Sequence, residues 1–265
     1  MPSDCQECRA SSEGRQDPVV SIITVVYNEA SKIGPTAESV WAQDYPHLEY
    51  IVIDGGSSDG TVNFLRSNDA RISLWTSEPD AGIYDAMNKG AANATGDWIM
   101  FMNAGDRLSS PSVLSKIFAE RKWRGDEFIY GDHCVVYPDG SRRYVKALDI
   151  AKAWRGMVMS HQSLFSPRGG PVDLVFEHVW GTAADYAFIA RAIAAGSKFC
   201  RLQGLCVADY AAGGVSDIQR LKSLALTRRA SQQYGLAPNY KTLPWFGFWM
   251  GIEVFKLGLK KFLVR

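Results

Sequence analysis

The stretch Glu78 to Asp106, EPDAGIYDAMNKGAANATGDWIMFMNAGD, decides the fold. It reads as loop, helix, tight turn, buried strand and acidic loop. Residues three and four apart are neighbours on a helix, so Asp85, Asn88 and Lys89 share one face. Ile83, Met87, Gly90 and Ala94 fall on the opposite, apolar face. Ala94-Thr95-Gly96-Asp97 turns the chain. Trp98 to Met102 is then a continuous apolar run bounded by turns, which suits a strand covered on both faces, as in a parallel sheet. That strand ends at Asn103-Ala104-Gly105-Asp106. Ligands of open α/β sheets bind beyond the carboxyl ends of the strands. Asp106 therefore stands where an acidic group reaches a ligand, and Gly105 lets the ligand approach closely.

Upstream, Val19 to Val26 is β-branched and apolar, a buried strand ending in Tyr27-Asn28-Glu29. A helix is predicted from about Thr36 to Gln43. Tyr50 to Ile53 is a second strand, ending at Asp54, and Ser58 or Asp59 in the following loop can cap a short helix to about Ser67. Ile72 to Thr76 is a third strand. Strand and helix alternate at intervals of roughly 20 to 30 residues, the pattern of a mostly parallel, Rossmann-like sheet flanked by helices.

Downstream the texture changes. Ser110-Pro111 opens a helix. Phe128 to Tyr130, Val135 to Tyr137 and Arg142 to Val145 read as short strands, with Pro138-Asp139-Gly140 as a hairpin turn. Residues 149 to 181 read as irregular. Thr182 to Ala195 is a helix closed by Gly196, Lys198 to Tyr210 is extended, and Asp217 to Tyr234 is helical. The expected organisation is a disordered tail over 1–17, one α/β domain over 18–216 and C-terminal helices over 217–265. Within the domain, 18–107 and 108–216 read as two halves of different texture, the first with ligand-facing groups at its strand ends.

Net charge is +1, with 46% hydrophobic and 22% charged residues, an ordinary globular composition that gives no electrostatic case for nucleic acid. Five cysteines without framework spacing suit a reducing compartment. Cys5 and Cys8 form a CxxC with no second pair or histidine cluster near, and read as an incidental pair. No signal-peptide pattern opens the chain, and no run of about 18 uncharged apolar residues occurs. The loop after the first strand, YNEASKIG, is neither a dinucleotide fingerprint nor a P-loop.

Five motifs together resemble family 2 glycosyltransferases of the GT-A fold, of the kind that builds bacterial surface polysaccharides. They are SIITVVYNEA (Ser21 to Ala30), VIDGGSSDGT (Val52 to Thr61), EPDAGIYDAMNKG (Glu78 to Gly90), ATGDWIMFMNAGD (Ala94 to Asp106) and AADYAFIARA (Ala183 to Ala192), in the family's order. The resemblance implies a metal-dependent, inverting transfer of one sugar from a nucleotide-diphosphate sugar, UDP-linked by preference, to a lipid-linked glycan. It places Asp54 at the nucleotide base, Asp80 near the ribose and Asp185 as catalytic base. The family often has two acidic residues at the end of the central strand. Here Gly105 stands in place of one, so Asp106 carries most of the metal work.

Residue chemistry runs alongside. Strand-end groups Tyr27, Asn28, Glu29, Asp54, Asp80 and Asn103 suit a nucleotide sugar, because carboxylates accept from base N–H and ribose hydroxyls. Asp106 with two phosphate oxygens suits Mg²⁺ or Mn²⁺. Lys89 can add positive charge near the phosphates. Gly213-Gly214 permits a hinge over the donor, with Arg220 close enough in sequence to reach the diphosphate. Asp185 is the expected base and His161 the alternative. Against Asp185, Thr182 and Asp185 have the spacing of a capping box. Two rivals stand beside transfer: a sugar-phosphate nucleotidyltransferase, and a degenerate carbohydrate-binding scaffold subunit.

The C-terminal stretch WFGFWMGIEVFKLGLKKFLVR (Trp245 to Arg265) places Glu253, Lys256 and Lys260 on one stripe. Trp245, Phe248, Trp249, Ile252, Phe255, Leu259 and Phe262 lie largely on another side. This suits a helix in the plane of a membrane surface, with packing onto the domain or sealing of a homodimer as alternatives. The expected location is cytoplasmic, peripheral on the inner face of the cell membrane.

Overall fold

The computed structural model describes residues 17–213 and 219–263. The expected tail with Cys5 and Cys8, and the Gly214 to Ser216 part of the expected hinge loop, lie outside the described residues.

β1 (Val20–Val26) is buried along its whole length and pairs in parallel with β2 (Leu48–Asp54) and β4 (Trp98–Phe101). β3 (Leu74–Ser77) extends the sheet from β2, also in parallel. The crossovers are helices α1 (Ala30–Trp41), α2 (Thr61–Ser67) and α3 (Ile83–Asn93). Successive side chains of a strand point to opposite faces. Ile22, Val52 and Met100 accordingly join the cluster containing Ile33 and Val40 of α1, while Ile23, Ile53 and Phe101 join the one containing Ala86 and Met87 of α3. Both faces of β1 and β4 are covered, which is why these strands read as largely apolar runs, while β3 at the edge stays partly exposed.

The second half is mixed. β6 (Phe128–Val136) pairs in parallel with β9 (Phe199–Ala211) and antiparallel with β7 (Arg142–Val145) and β8 (Leu164–Pro167). β8 also pairs with β4, and β5 (Arg107–Leu108) pairs with β9, so one curled sheet joins both halves in the order β3-β2-β1-β4-β8-β6-β9-β5. Three helices follow in the chain: α4 (Ala184–Ala194), α5 (Arg220–Gln233) and α6 (Asn239–Leu263).

Several expectations need correction. α1 begins at Ala30, not near Thr36. Asp59 accepts the Ala30 N–H at 2.9 Å, and the helix runs through Pro35. Ile83, the first residue of α3 and expected on its apolar face, is 44% exposed. The two strands read at 128–137 are one strand, β6, continuous through Gly131. The segment read as irregular contains β8 and three short 3-10 turns, Ile150–Arg155, His161–Ser163 and His178–Ala183. Their partners are distant in sequence, so local patterning does not reveal them.

α6 starts at Asn239, earlier than expected, and packs on α5, with Thr242 and Phe246 fully buried. Glu253, expected on a solvent stripe, is only 14% exposed and pairs with Arg220 at 3.7 Å and Lys256 at 2.9 Å. Trp245 and Trp249 turn partly toward the domain. The exposed stripe is instead Tyr240, Leu243, Phe248, Val254 and Phe255. No described helix is long and apolar enough to cross a membrane.

Candidate active site at the carboxyl edge of the sheet

Because β1 to β4 run parallel, their carboxyl ends open on one edge, and the chain after each contributes to one cleft. Loop hydrogen bonds set its floor. Asn28, at φ +51°, donates its N–H to Ser57 Oγ at 2.7 Å, and its side-chain oxygen accepts the Ser58 N–H at 2.9 Å. Asp54 is fully buried and accepts from the N–H groups of Gly56 and Ser57 at 3.2 and 2.9 Å, from Ser77 Oγ at 2.6 Å, and from Ser57 Oγ. Its lone pairs thus go to the loop and to Ser77, and in this conformation it shapes that loop instead of presenting a free carboxylate. Asp59 accepts from Ala30 and Thr61 N–H groups, which makes it a cap. Asp80 accepts the Gly82 N–H at 2.8 Å. A Cβ on Gly55 would stand 2.6 Å from Asp80 Oδ2 and 3.3 Å from Tyr27, so glycine here lets three strand-end loops converge. Tyr27 is 62% exposed above them.

Asp106 is the centre. It is 4% exposed, and its carboxylate accepts from Gln162 Nε2 at 2.8 Å and from the Ala211 N–H at 2.9 Å. Burial pushes the carboxyl above its ordinary range, and these two donors pull it partly back. Thr36 Oγ1 donates to the Asp106 carbonyl at 2.8 Å and accepts the Gly105 N–H at 2.9 Å, clamping the loop to α1. Gly105 has φ +105°, and a Cβ there would lie 3.3 Å from Lys32 Cδ. The loop therefore has no relaxed place for a second carboxylate, and the stem of Lys32 fills that side. The Lys32 charge acts to lower the Asp106 carboxyl, while its ammonium pairs with Glu29 at 2.8 Å.

Asp106, with two acceptor positions spare, fits a hard divalent cation that also takes phosphate oxygens. Asn103 Oδ1, at the end of the same strand, is buried without a hydrogen-bond partner and adds an oxygen of the same chemistry.

The side of the site built by the second half of the sheet assembles around one short turn. Asn103 Nδ2 lies 3.2 Å from His161 Nε2, and His161 Nδ1 lies 3.6 Å from Asp185 Oδ2. With the Asn103 amide donating, the ring proton sits on Nδ1 and faces the carboxylate. His161 and Asp185, alternatives in sequence, are neighbours in space. Gln162, beside His161, reaches the other way to Asp106. The capping box is not formed. Thr182 Oγ1 accepts instead from Ser223 Oγ at 2.8 Å, and Asp185 Oδ1 accepts the Tyr186 N–H. Tyr84 of α3 completes this side. Its phenol is pushed well up by burial and then by the charge of Asp185.

Two expected donor groups are engaged elsewhere. Lys89 pairs with Glu78 at 2.9 Å and Asp85 at 3.4 Å and donates to the Pro79 carbonyl, bracing the loop that carries Asp80. Arg220 pairs with Glu253 on α6. Reading the sequence missed Lys32, Tyr84, Gln162, Ser57 and Ser77. Gln162 stands next to His161 in the chain, but the opposite directions in which the two side chains reach are set by tertiary contacts. A cleft of about 620 Å³ lined by Asp17, Arg121, Lys122 and Arg124 lies by Trp98, at the opposite end of β4 from Asp106. Lys122–Asp17 and Arg124–Asp126 pairs offset charge within it.

The model of Glycosyl transferase family 2 matches residues 21–178. An uncharacterized glycosyltransferase of Mycobacterium tuberculosis is 37% identical over 185 residues, 66% of this chain and 69% of that protein. A PGL/p-HBAD biosynthesis glycosyltransferase of Mycobacterium bovis is 29% identical over 226 residues, 80% of this chain and 86% of that one. Among solved structures, Staphylococcus aureus TarS in complex with UDP aligns with TM-score 0.62 at 16% identity. The alignment covers 80% of this chain and 65% of that chain, so this chain spans just under two thirds of it. A mannosyltransferase from Pyrobaculum calidifontis, solved with GDP-Man and Mn²⁺, aligns with TM-score 0.59 at 19% identity, covering 91% and 76%. At such identity the solved structures speak for the fold, which is GT-A. With the family model covering more than half of the sequence, the chain belongs to glycosyl transferase family 2 and is a glycosyltransferase.

Proposed function

We propose that this chain transfers one sugar, with inversion, from a nucleotide-diphosphate sugar to a lipid-linked glycan, using Mg²⁺ or Mn²⁺ held at Asp106. The observation that carries the reading is the His161-Gln162 turn, which ties Asp106 on one side to the Asp185 pair on the other. Tyr27, Asn28, Asp80 and the loop shaped by Asp54 hold the nucleoside, with Glu29 and Asn103 at its edges, and Lys89 braces the loop that carries Asp80. Lys32, Asn103 and Asp106 face the diphosphate. The bound cation supplies charge stabilisation to the departing diphosphate. Asp185 takes the acceptor proton as the hydroxyl attacks the anomeric carbon opposite the leaving group, and His161 keeps its ring proton toward that carboxylate. Arg220 reaches the donor only by leaving Glu253.

Solved neighbours named with UDP, UDP-GlcNAc and GDP-Man support a nucleotide-sugar donor, with UDP favoured. Relatives named for PGL/p-HBAD and teichuronic acid biosynthesis support a glycolipid or surface-glycan acceptor. The exposed stripe of α6 supports a peripheral site on the inner membrane face. Family membership answers the nucleotidyltransferase rival, and the scaffold rival is an outcome of the test. A panel of sugar nucleotides with Mn²⁺, read by release of nucleoside diphosphate, should show slow hydrolysis of one donor. No release from any donor, with no Mn²⁺-linked UDP binding, would leave the scaffold reading standing.

A further inference from the structure

Away from this cleft, the described residues contain one group of three metal-ligating side chains: Cys134 on β6 with Cys206 and Asp209 on β9. Their ligand atoms all lie within 4.8 Å of one another. The two sulfurs are 3.6 Å apart. Two thiolates on one tetrahedral ion, each at about 2.3 Å, stand about 3.8 Å apart.

A break in the strand brings these residues together. Cys206 and Asp209 are three apart, so a regular strand would point them to opposite faces. In the β6–β9 ladder Asp132 lies opposite Cys206 and the next residue, His133, opposite Ala208, which leaves Val207 as an extra residue. Such a bulge re-aims the side chains beyond it. Val207 is fully buried in the core, and Asp209 lands opposite Cys134 on the side where Cys206 already stands. Arg142, from β7, donates to both Asp209 oxygens at 2.5 and 2.7 Å. A carboxylate can give one oxygen to a metal while an outer partner orients the other, and this guanidinium offsets the charge of two thiolates.

We propose that Cys134, Cys206 and Asp209 form a second metal site, for a borderline-soft divalent cation of the zinc type, with solvent completing the tetrahedron. Sulfur ligands select such an ion over the hard cation suited to Asp106. Each thiol gives its proton to solvent as its metal–sulfur bond forms. The site would brace the catalytic edge, because Ser109 Oγ donates to the Cys206 carbonyl at 2.6 Å and the Ala211 N–H at the end of β9 donates to Asp106. The proposal does not depend on sugar transfer.

The test uses the full chain carrying Cys5→Ser and Cys8→Ser, so that two neighbouring thiols cannot bind the probe ion on their own. The protein is reduced, freed of metal and titrated with Co²⁺. The expected result is a near-ultraviolet thiolate-to-metal charge-transfer band with the intense visible bands of tetrahedral Co²⁺, saturating at one equivalent and bleached by Zn²⁺. Both Cys134→Ser and Cys206→Ser should lose the band. Asp209→Asn should keep it with affinity lowered at least about tenfold. Cys206 is only partly buried, so its serine variant still decides the matter if Cys134→Ser fails to fold. Absence of the band in the Cys5/Cys8 variant, or its persistence in both serine variants, overturns the site.

Discussion

The two halves of the sheet place their functional groups by different means. In the β1–β4 half, each group follows the end of a parallel strand, and the ladder register sets its position. Val26 stands opposite Asp54, and Asp54 opposite Ser77. In the β5–β9 half, the groups come from a three-residue turn, the start of a helix and the last residue of a bulged strand, and individual hydrogen bonds hold them. The first half, which on the proposed function would hold the donor, is therefore scaffolded, and substitutions there should act first on stability. The second, which would hold the acceptor, is assembled, and single substitutions there should act on chemistry. Asp106 is the seam, since it belongs to the first half and is held by two donors from the second.

The seam is where the comparison breaks most completely. Asp106→Ala should abolish transfer together with the Mn²⁺ enhancement of UDP binding. Calorimetry of UDP with and without Mn²⁺ reads this, and equal enhancement in the variant would remove Asp106 from the metal site.

Asp185→Asn tests whether the assembled side carries chemistry alone. Turnover should fall by about two to four orders of magnitude, with UDP affinity near that of the parent. Asp185 does not cap through Thr182, so the circular dichroism of the variant should match the parent. A variant with near-normal turnover would take Asp185 out of the mechanism.

α6 sharpens the contrast from outside the sheet. Ending the chain after Leu243 would delete buried Phe246 and confuse unfolding with detachment. The cleaner variant is Phe248→Ser with Val254→Ser and Phe255→Ser, all on exposed positions. It should lose flotation with anionic liposomes and most transfer to a lipid-linked acceptor, while donor hydrolysis stays intact. Unchanged flotation would end the membrane reading of this stripe.

The smallest expected effect is a pH shift across the seam. The cation needs Asp106 charged, so Mn²⁺ enhancement of UDP binding should fade as pH drops through the raised Asp106 range. The Gln162 N–H favours the charged form, so in Gln162→Leu the fading should begin at higher pH. The sign for folding is opposite. A carboxyl raised in the folded state favours folding while protonated, and that contribution is lost as pH rises past its range. Identical binding midpoints in calorimetric titrations of parent and variant would show that Gln162 does not support the carboxylate.

From the sequence alone came the alternation of strand and helix through residue 106, the strand ends at Tyr27, Asp54 and Asp106, and the Pro138-Asp139-Gly140 turn. Each rests on periodicity or turn chemistry within about ten residues, which the chain carries locally. Tertiary structure alone decided which of those groups stay free. Asp54 spends its lone pairs on Ser57 and Ser77, and Lys89 braces its own loop. It also decided that His161 and Asp185 are neighbours, that Gln162 and Ala211 hold Asp106 from 56 and 105 residues away, and that a bulge gathers Cys134, Cys206 and Asp209. These contacts depend on β8 joining the halves and on irregular backbone. Their energies come from partners brought together where the sheet joins its two halves, and no local pattern encodes that join.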